Sequence, residues 1–237
     1  MTASDSLLNL TLTRLAALAE PVFAEGAAGF FKEPVKARGV RCPILITLSA
    51  EIYREIKTWP VSRRDGFVTS LWKDGHIETG SLACYVYRRF AKTFGEREFR
   101  LFVRWLDRYV TNWGHCDGLS IYLFAPTIAR LPELAAELRG WTGSENPWRR
   151  RAAAVALVKE AKHGRHLKLI FQIAGALACD HADLVQKGAG WLLKEAYPAR
   201  PREVVRFLEK QGKGWPRLVL RYAAEKMTAE DRARVLG

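Results

Sequence analysis

Residues 112–124 read NWGHCDGLSIYLF: an Asn start after an apolar run, then a stretch spaced as a helix. The same kind of opening recurs at residues 76–90 (HIETGSLACYVYRRF), 146–158 (NPWRRRAAAVALV), 181–193 (HADLVQKGAGWLL) and 214–226 (GWPRLVLRYAAEK). The starts step by 36, 34, 35 and 33 residues. Each is preceded by a further amphipathic segment: DGFVTSLWKDG, FRLFVRWLDRYV, PELAAELRGW, LKLIFQIAGALA and EVVRFLEKQ. A helix pair every 35 residues or so is the signature of an α-solenoid, whose hairpins bury their apolar faces only by stacking. The tetratricopeptide consensus is absent, so the degenerate repeats read as HEAT-like. The expectation is all-α: a right-handed α-solenoid with a concave basic groove, one domain over 1–237. Within it 1–42 form N-terminal capping helices and 43–237 the helical hairpins.

Local signals agree. Phe99, Phe102, Val103, Leu106, Tyr109 and Val110 fall on one helical face, with Arg100, Arg104, Asp107 and Arg108 on the other. PREVVRFLEKQG begins with Pro and ends at Gly212, a helix start and stop. PILITLS, from Pro43, carries β-branched residues, but the run on into EIYREIKTW predicts a helix. No turn dipeptide sits between alternating segments as a hairpin requires.

The charge is the unusual quantity. Lys and Arg total 38 against 25 Asp and Glu, a net charge of +13 in 237 residues. That excess is the electrostatic footprint of a nucleic-acid binder. An apolar share of 49% and eight Trp exclude a disordered chain. Cys42, Cys84, Cys116 and Cys179 form no CxxC pair and read as buried small hydrophobes in a reducing, cytoplasmic compartment. His163 with His166, or Cys179 with His181, fall short of the four spaced ligands of a structural zinc, so no metal or other cofactor is expected. The N-terminus lacks the basic region of a secretory signal, and the longest apolar runs are too short to span a bilayer, so no membrane partner is expected.

Equivalent positions in stacked hairpins point the same way. Five residues past each start stand Ser81, Asp117, Arg151, Gln186 and Val219, four of them polar, expected to line one ledge of the inner surface. Asp117 is the only carboxylate between Thr111 and Pro132; it reads either as a first-turn acid favoured by the helix dipole or as a functional group. Arg149, Arg150 and Arg151 at a helix start read as a solvated basic turn or as phosphate ligands aided by the helix N-terminus. Trp113, Trp148 and Trp191 lie about one repeat apart; aromatics at this spacing are usually core, but an exposed ring holds a cation or stacks a base. Lys187 reads as a phosphate contact.

The runs NWGHCDGLS, NPWRRRAA and VQKGAGWLLKE, in that order and spacing, resemble the AlkD-type DNA alkylation repair family, HEAT-like repeat DNA glycosylases that excise cationic N3- and N7-alkylated purines. The resemblance covers roughly residues 30–226. It implies that Asp117 is catalytic, that Trp113 and Trp191 flank the reacting sugar, and that Arg151 holds DNA. Phe30 falls where some relatives carry Tyr, which removes a hydroxyl and leaves a packing surface. The resemblance further implies a monomer acting on double-stranded DNA with alkylated purines, without a cofactor. Two other readings stand beside it: a non-catalytic binder of damaged or branched DNA, and a glycosylase for bulky natural-product adducts. A protein–protein scaffold has no need of the charge. A lyase would need an amine nucleophile, Lys187 or Lys194.

Overall fold

Several helices begin where Pro removes an otherwise unpaired backbone donor or where a side chain accepts from one. Asn112 and Asn146 cap their helices, accepting from His115 N and Trp148 N at 2.9 Å. Pro stands in the first turn of five helices, where its absent N–H costs nothing. The structure, a computed structural model, describes residues 3–237; Met1 and Thr2, part of the expected N-terminal capping segment, lie outside it. Among the described residues there is no strand, only an isolated bridge between Lys36 and His76. No single helix among them is long and apolar enough to cross a membrane.

The chain divides into two compact units. The first comprises the residues through Phe94 and Arg100–Leu123. It holds α1 (Ala3–Ala17), α2 (Pro21–Ala28), α3 (Cys42–Ile56), α4 (Val61–Asp74), α5 (Ile77–Tyr87), most of α6 (Glu96–Tyr109) and α7 (Trp113–Leu119). Here α3 packs on α5 and α5 on α7, while α4 backs α5. The second unit, Gly95–Phe99 with Phe124–Gly237, contains α8 (Ala125–Arg130), α9 (Glu137–Trp141), α10 (Pro147–Val155), α11 (Val158–Lys162) and α12 (Leu167–Leu177). It closes with α13 (Asp183–Ala196), α14 (Pro201–Gln211), α15 (Arg217–Ala223) and α16 (Ala229–Leu236). There α10 packs on α13 and α13 on α15, with α12 behind α13. In each unit one helix of a hairpin lies against its equivalent in the next, which is the packing of an α-solenoid.

The repeat is more regular than the sequence reading gave. The equivalent helices start at Ile77, Trp113, Pro147, Asp183 and Arg217, steps of 36, 34, 36 and 34 residues. The starts expected at His181 and Gly214 move forward, because Ala182 and the rigid Pro216 are the capping residues.

The core is aromatic in the first unit. Tyr87, Phe102 and Trp105 are all but fully buried, and Tyr87 meets Phe102 and Trp105 edge to face at centroid distances of 5.6 and 5.2 Å. The faces of α6 divide as its sequence predicts, with Phe99, Phe102 and Leu106 wholly buried and Arg104, Asp107 and Arg108 exposed. Two cysteines depart from expectation. Cys84 and Cys116 are buried, but Cys42 and Cys179 are exposed. Cys42 is the first residue of α3, beside the Tyr85 hydroxyl at 3.0 Å, and Cys179 lies in the turn after α12. Burial pushes the Cys84 thiol up, so it stays protonated and inert.

Candidate functional site

In the first unit the site is built on α7. Seven residues make two turns, too few for a helix to stand unsupported. Its support is a buried polar knot. Asn112 Oδ1 accepts the His115 amide and Asn112 Nδ2 donates to His115 Nδ1 at 3.2 Å, so His115 Nε2 carries the proton and donates to Ile77 O at 3.2 Å. His115 lies 3% exposed, edge-on to Trp72, and burial holds its pKa below the ordinary histidine value against the backbone hydrogen bonds that raise it. Gly80 of α5 is pressed against the same imidazole, where any Cβ would collide.

Trp113 and Asp117, four residues apart, share one face of α7, and both are half-buried. The Trp113 ring is stacked on Phe31, centroids 5.0 Å apart and planes at 21°. Both rings line a cavity of about 1070 Å³ with Val22, Phe23, Phe30 and Arg41. Phe30 is 80% exposed and Val22 85%, so this apolar wall is open to a ligand rather than packed. The Arg41 guanidinium lies 4.6 Å over Phe23 and pairs with Glu20 through two hydrogen bonds of 2.8 and 2.9 Å. Sequence reasoning named Phe30 and Trp113. It missed Phe31, whose neighbour in the GFF run was taken alone, and it missed the apolar face of α2.

In the second unit the three consecutive arginines point into three environments, because successive helix positions turn by about 100°. Arg149 lies 5.7 Å from the Trp141 ring. Arg150, expected as a phosphate ligand, is 5% exposed and occupied: Nε and Nη2 hold Asp180 at 2.6 and 3.1 Å, and Nη1 donates to Ser144 O and Glu145 O at 2.7 and 3.1 Å. It joins α10 to the turn before α13 and is a structural residue. Burial raises the Asp180 pKa, but Arg150 and the Ala182 amide outweigh it and hold the carboxyl below its usual range. Arg151, 6% exposed, donates to Leu184 O and lies along Gly188 of α13. Trp148 is half-buried in the first turn of α10.

The ledge shifts with the corrected register. Gln186, half-buried, turns its side-chain amide to Asp180 O at 2.6 Å, and Val219 is fully buried, so Val219 lines no surface ledge. Counted from the observed starts, the positions equivalent to Ser81, Asp117 and Arg151 are Lys187 and Arg221. These two, with Arg217 and Tyr222, line a pocket of about 580 Å³. Among the described residues no carboxylate pairs with Lys187, Arg217 or Arg221; with Arg232 they make four cations in one concavity against a single carboxylate, Glu225, which is itself paired with Lys194, so the site suits an anion by composition. The close approach of α13 and α15 that forms it depends on Gly190, where a Cβ would stand 2.5 Å from Tyr222 Cβ and 2.8 Å from Val219 O.

Trp191, half-buried, donates from Nε1 to Glu195 Oε1 at 3.2 Å. Burial works against the Glu195 charge, but Lys226 at 2.6 Å and Lys162 at 3.6 Å prevail and lower its pKa. Lys194 is paired with Glu225 at 2.7 Å.

The sequence model of a family described as DNA alkylation repair enzyme matches residues 11–227. No curated protein matches the chain. A solved structure described as a predicted DNA alkylation repair enzyme from Enterococcus faecalis superposes with a TM-score of 0.80 at 18% identity, over 89% of this chain and 97% of that one. At that identity the likeness bears on the fold, and it fits the all-α solenoid; the family match spans nearly the whole chain. The protein belongs to the DNA alkylation repair enzyme family.

Proposed function

We propose that the protein is a monofunctional DNA glycosylase that hydrolyses the N-glycosidic bond of cationic N3- or N7-alkylated purines in duplex DNA. The observation that carries this reading is Asp117 beside Trp113 on a short helix held by the buried Asn112–His115 knot. An alkylated purine is already positive, so it departs as a neutral base without protonation. The bond breaks toward an oxocarbenium-like sugar, and what accelerates it is fixed negative charge near C1′ and an aligned water. The Asp117 carboxylate supplies both: it faces the developing cation and accepts a hydrogen bond from the water that attacks C1′. The oxygen of water ends on C1′, its proton passes to solvent, and the base keeps the bonding electrons. Trp113 offers its ring face to the same positive charge.

Lys187, Arg217 and Arg221 are suited to backbone phosphates, with Arg149 at the start of α10. A second reading, release of bulky adducts, is favoured by the open apolar cavity walled by Phe23, Phe30, Phe31 and Trp113, which suits a large planar substituent. The test is single-turnover base release from duplexes bearing N7-methylguanine or N3-methyladenine, wild type beside Asp117→Asn. Release by wild type, with a loss on the order of 100-fold or more in the variant, is expected for removal of the charge that stabilises the transition state. Tight, salt-sensitive DNA binding without release of methylated or bulky bases points instead to a non-catalytic damage binder.

A further inference from the structure

We propose that Glu78 is a positioning residue for the site, seating Phe31 against Trp113 through α2; the catalytic part of this inference rests on the glycosylase reading. Glu78 is on the first turn of α5 and only 5% exposed. Its carboxylate is enclosed by three successive backbone amides: Arg38 N at 3.0 Å to both oxygens, Gly39 N at 2.7 Å and Val40 N at 3.3 Å to Oε1. Successive N–H groups around one anion form a nest, which fixes a loop that has no secondary structure of its own.

The loop is tied again on both sides. Ile77 N donates to Lys36 O at 2.9 Å, and Arg38 Nη2 donates to Asp74 Oδ1 at 2.9 Å. Burial raises the Asp74 pKa, yet hydrogen bonds from Thr79, His76 and Arg38 outweigh it, and the carboxyl stays ionised below its usual range.

What the nest holds in place is Gly39. Its φ is +81°, and a Cβ there would collide with Glu20 O and stand 2.8 Å from Ala24 N. Gly39 therefore sits directly against the first turn of α2, whose Ala24 N donates to Glu20 O at 2.8 Å. An eight-residue helix about 12 Å long carries that position to its far end. There the Phe31 amide bonds Ala28 O at 3.0 Å and the Phe31 ring lies on Trp113. The chain of contact runs Glu78, Gly39, α2, Phe31, Trp113, entirely within the first unit. No residue of α2 itself is buried; beside Gly39, the helix is tied at its start by Arg41, which pairs with Glu20 and lies over Phe23.

Glu78→Gln keeps the shape but leaves one acceptor oxygen for three amides and turns an NH₂ toward them. Gly39→Ala disturbs the same contact from the loop side and stands in if Glu78→Gln fails to fold. Two readouts are taken on protein shown folded by near-ultraviolet circular dichroism: amide exchange of the 29–41 segment, and single-turnover release from an N7-methylguanine duplex at saturating enzyme. We expect faster exchange at Arg38, Gly39 and Val40 with α3 and α4 unchanged. Release slows about 10- to 100-fold, the cost of a group displaced by roughly 1 Å, while affinity for undamaged duplex stays within about twofold, since no phosphate ligand is touched. In a Trp113→Ala background Glu78→Gln adds no further loss, because the two act through one contact.

Unchanged exchange overturns the proposal. So does faster exchange with wild-type release, or a loss that adds to that of Trp113→Ala. If wild type releases no base at all, the glycosylase reading falls, and the clamp itself is decided by the exchange.

Discussion

Replacing Arg150 by Ala separates a structural arginine from a DNA-binding one. The guanidinium side chain is 6% exposed and Asp180 7%, and the pair is joined by two hydrogen bonds, with two more to Ser144 O and Glu145 O. Truncation leaves a buried carboxylate facing a void, and breaking such a pair costs about 3–5 kcal/mol. For a chain of this length each kcal/mol lowers Tm by about 2–4 °C, so the expected drop is about 6–20 °C. The carbonyls lose their donor as well, which favours the upper half of that range. Removing both charges, with Arg150→Met and Asp180→Leu together, restores more than half of the loss, because the penalty lies in the orphaned charge. The assay is thermal melting of the three variants, paired with DNA affinity across salt concentrations. The salt slope of folded Arg150→Ala stays at the wild-type value. A drop in Tm of less than about 2 °C together with a slope shallower by about 0.9 would refute the reasoning, since one phosphate contact carries that slope.

Replacing Lys187, Arg217 and Arg221 together by Ala leaves Tm nearly unchanged and makes the slope of log affinity against log salt shallower by about 2–3, at about 0.9 per phosphate contact; an unaltered slope removes these residues from the DNA interface. Gly190→Ala gains helix propensity but forces a methyl onto Tyr222 and Val219 O, a net loss of about 2 kcal/mol and about 4–8 °C in melting temperature. On the acid side, the unfolded chain protonates its histidine near pH 6.5 while folded His115, its pKa lowered by burial, does not. Stability is therefore full above that pH and declines as pH falls through it, and melts between pH 8 and 5 show this decline flattened in His115→Gln. Asp74, Asp180 and Glu195, with lowered pKa values, add their loss only further down, below the ordinary carboxylate range.

Much of the fold was legible because repeats announce themselves twice, in periodicity and in capping residues. Asn112 and Asn146 fixed two helix starts to the residue. The starts at 181 and 214 were placed too early because His181 and Gly214 are polar or flexible, whereas the cap is decided by Ala182 and Pro216. That displacement of one residue and of two moves the ledge from Lys187 and Arg221 to Gln186 and Val219, one of them core. Asp117 and Trp113 were visible as chemistry-bearing residues four apart. The triplet Arg149–Arg151 was not resolvable by composition: three identical side chains divide by helical phase, and the residues that follow, Ala152 to Val155, are buried on every side, which draws two guanidinium groups inward. The Glu78 nest was invisible, since its partners are backbone amides about 40 residues away and backbone donors leave no mark on a sequence.

The chemistry proposed for Asp117 asks above all for position. A base that leaves neutral from a cationic lesion needs no acid held protonated in an apolar pocket, so a half-buried carboxylate serves. The demand falls on the rigidity of a two-turn helix, and the buried side of α7 is where that rigidity is built. His115 and Asn112 satisfy each other and the Ile77 carbonyl, leaving no slack in the first turn, and Gly80 lets α5 approach until the imidazole fills the space a side chain would take. Phe31 then fixes the outer face of Trp113. A preorganised charge costs nothing to reorient at the moment of reaction only if the reorganisation was completed on folding. On this view the residues touching no DNA, from Gly80 to Glu78, are as tightly constrained as Asp117 itself.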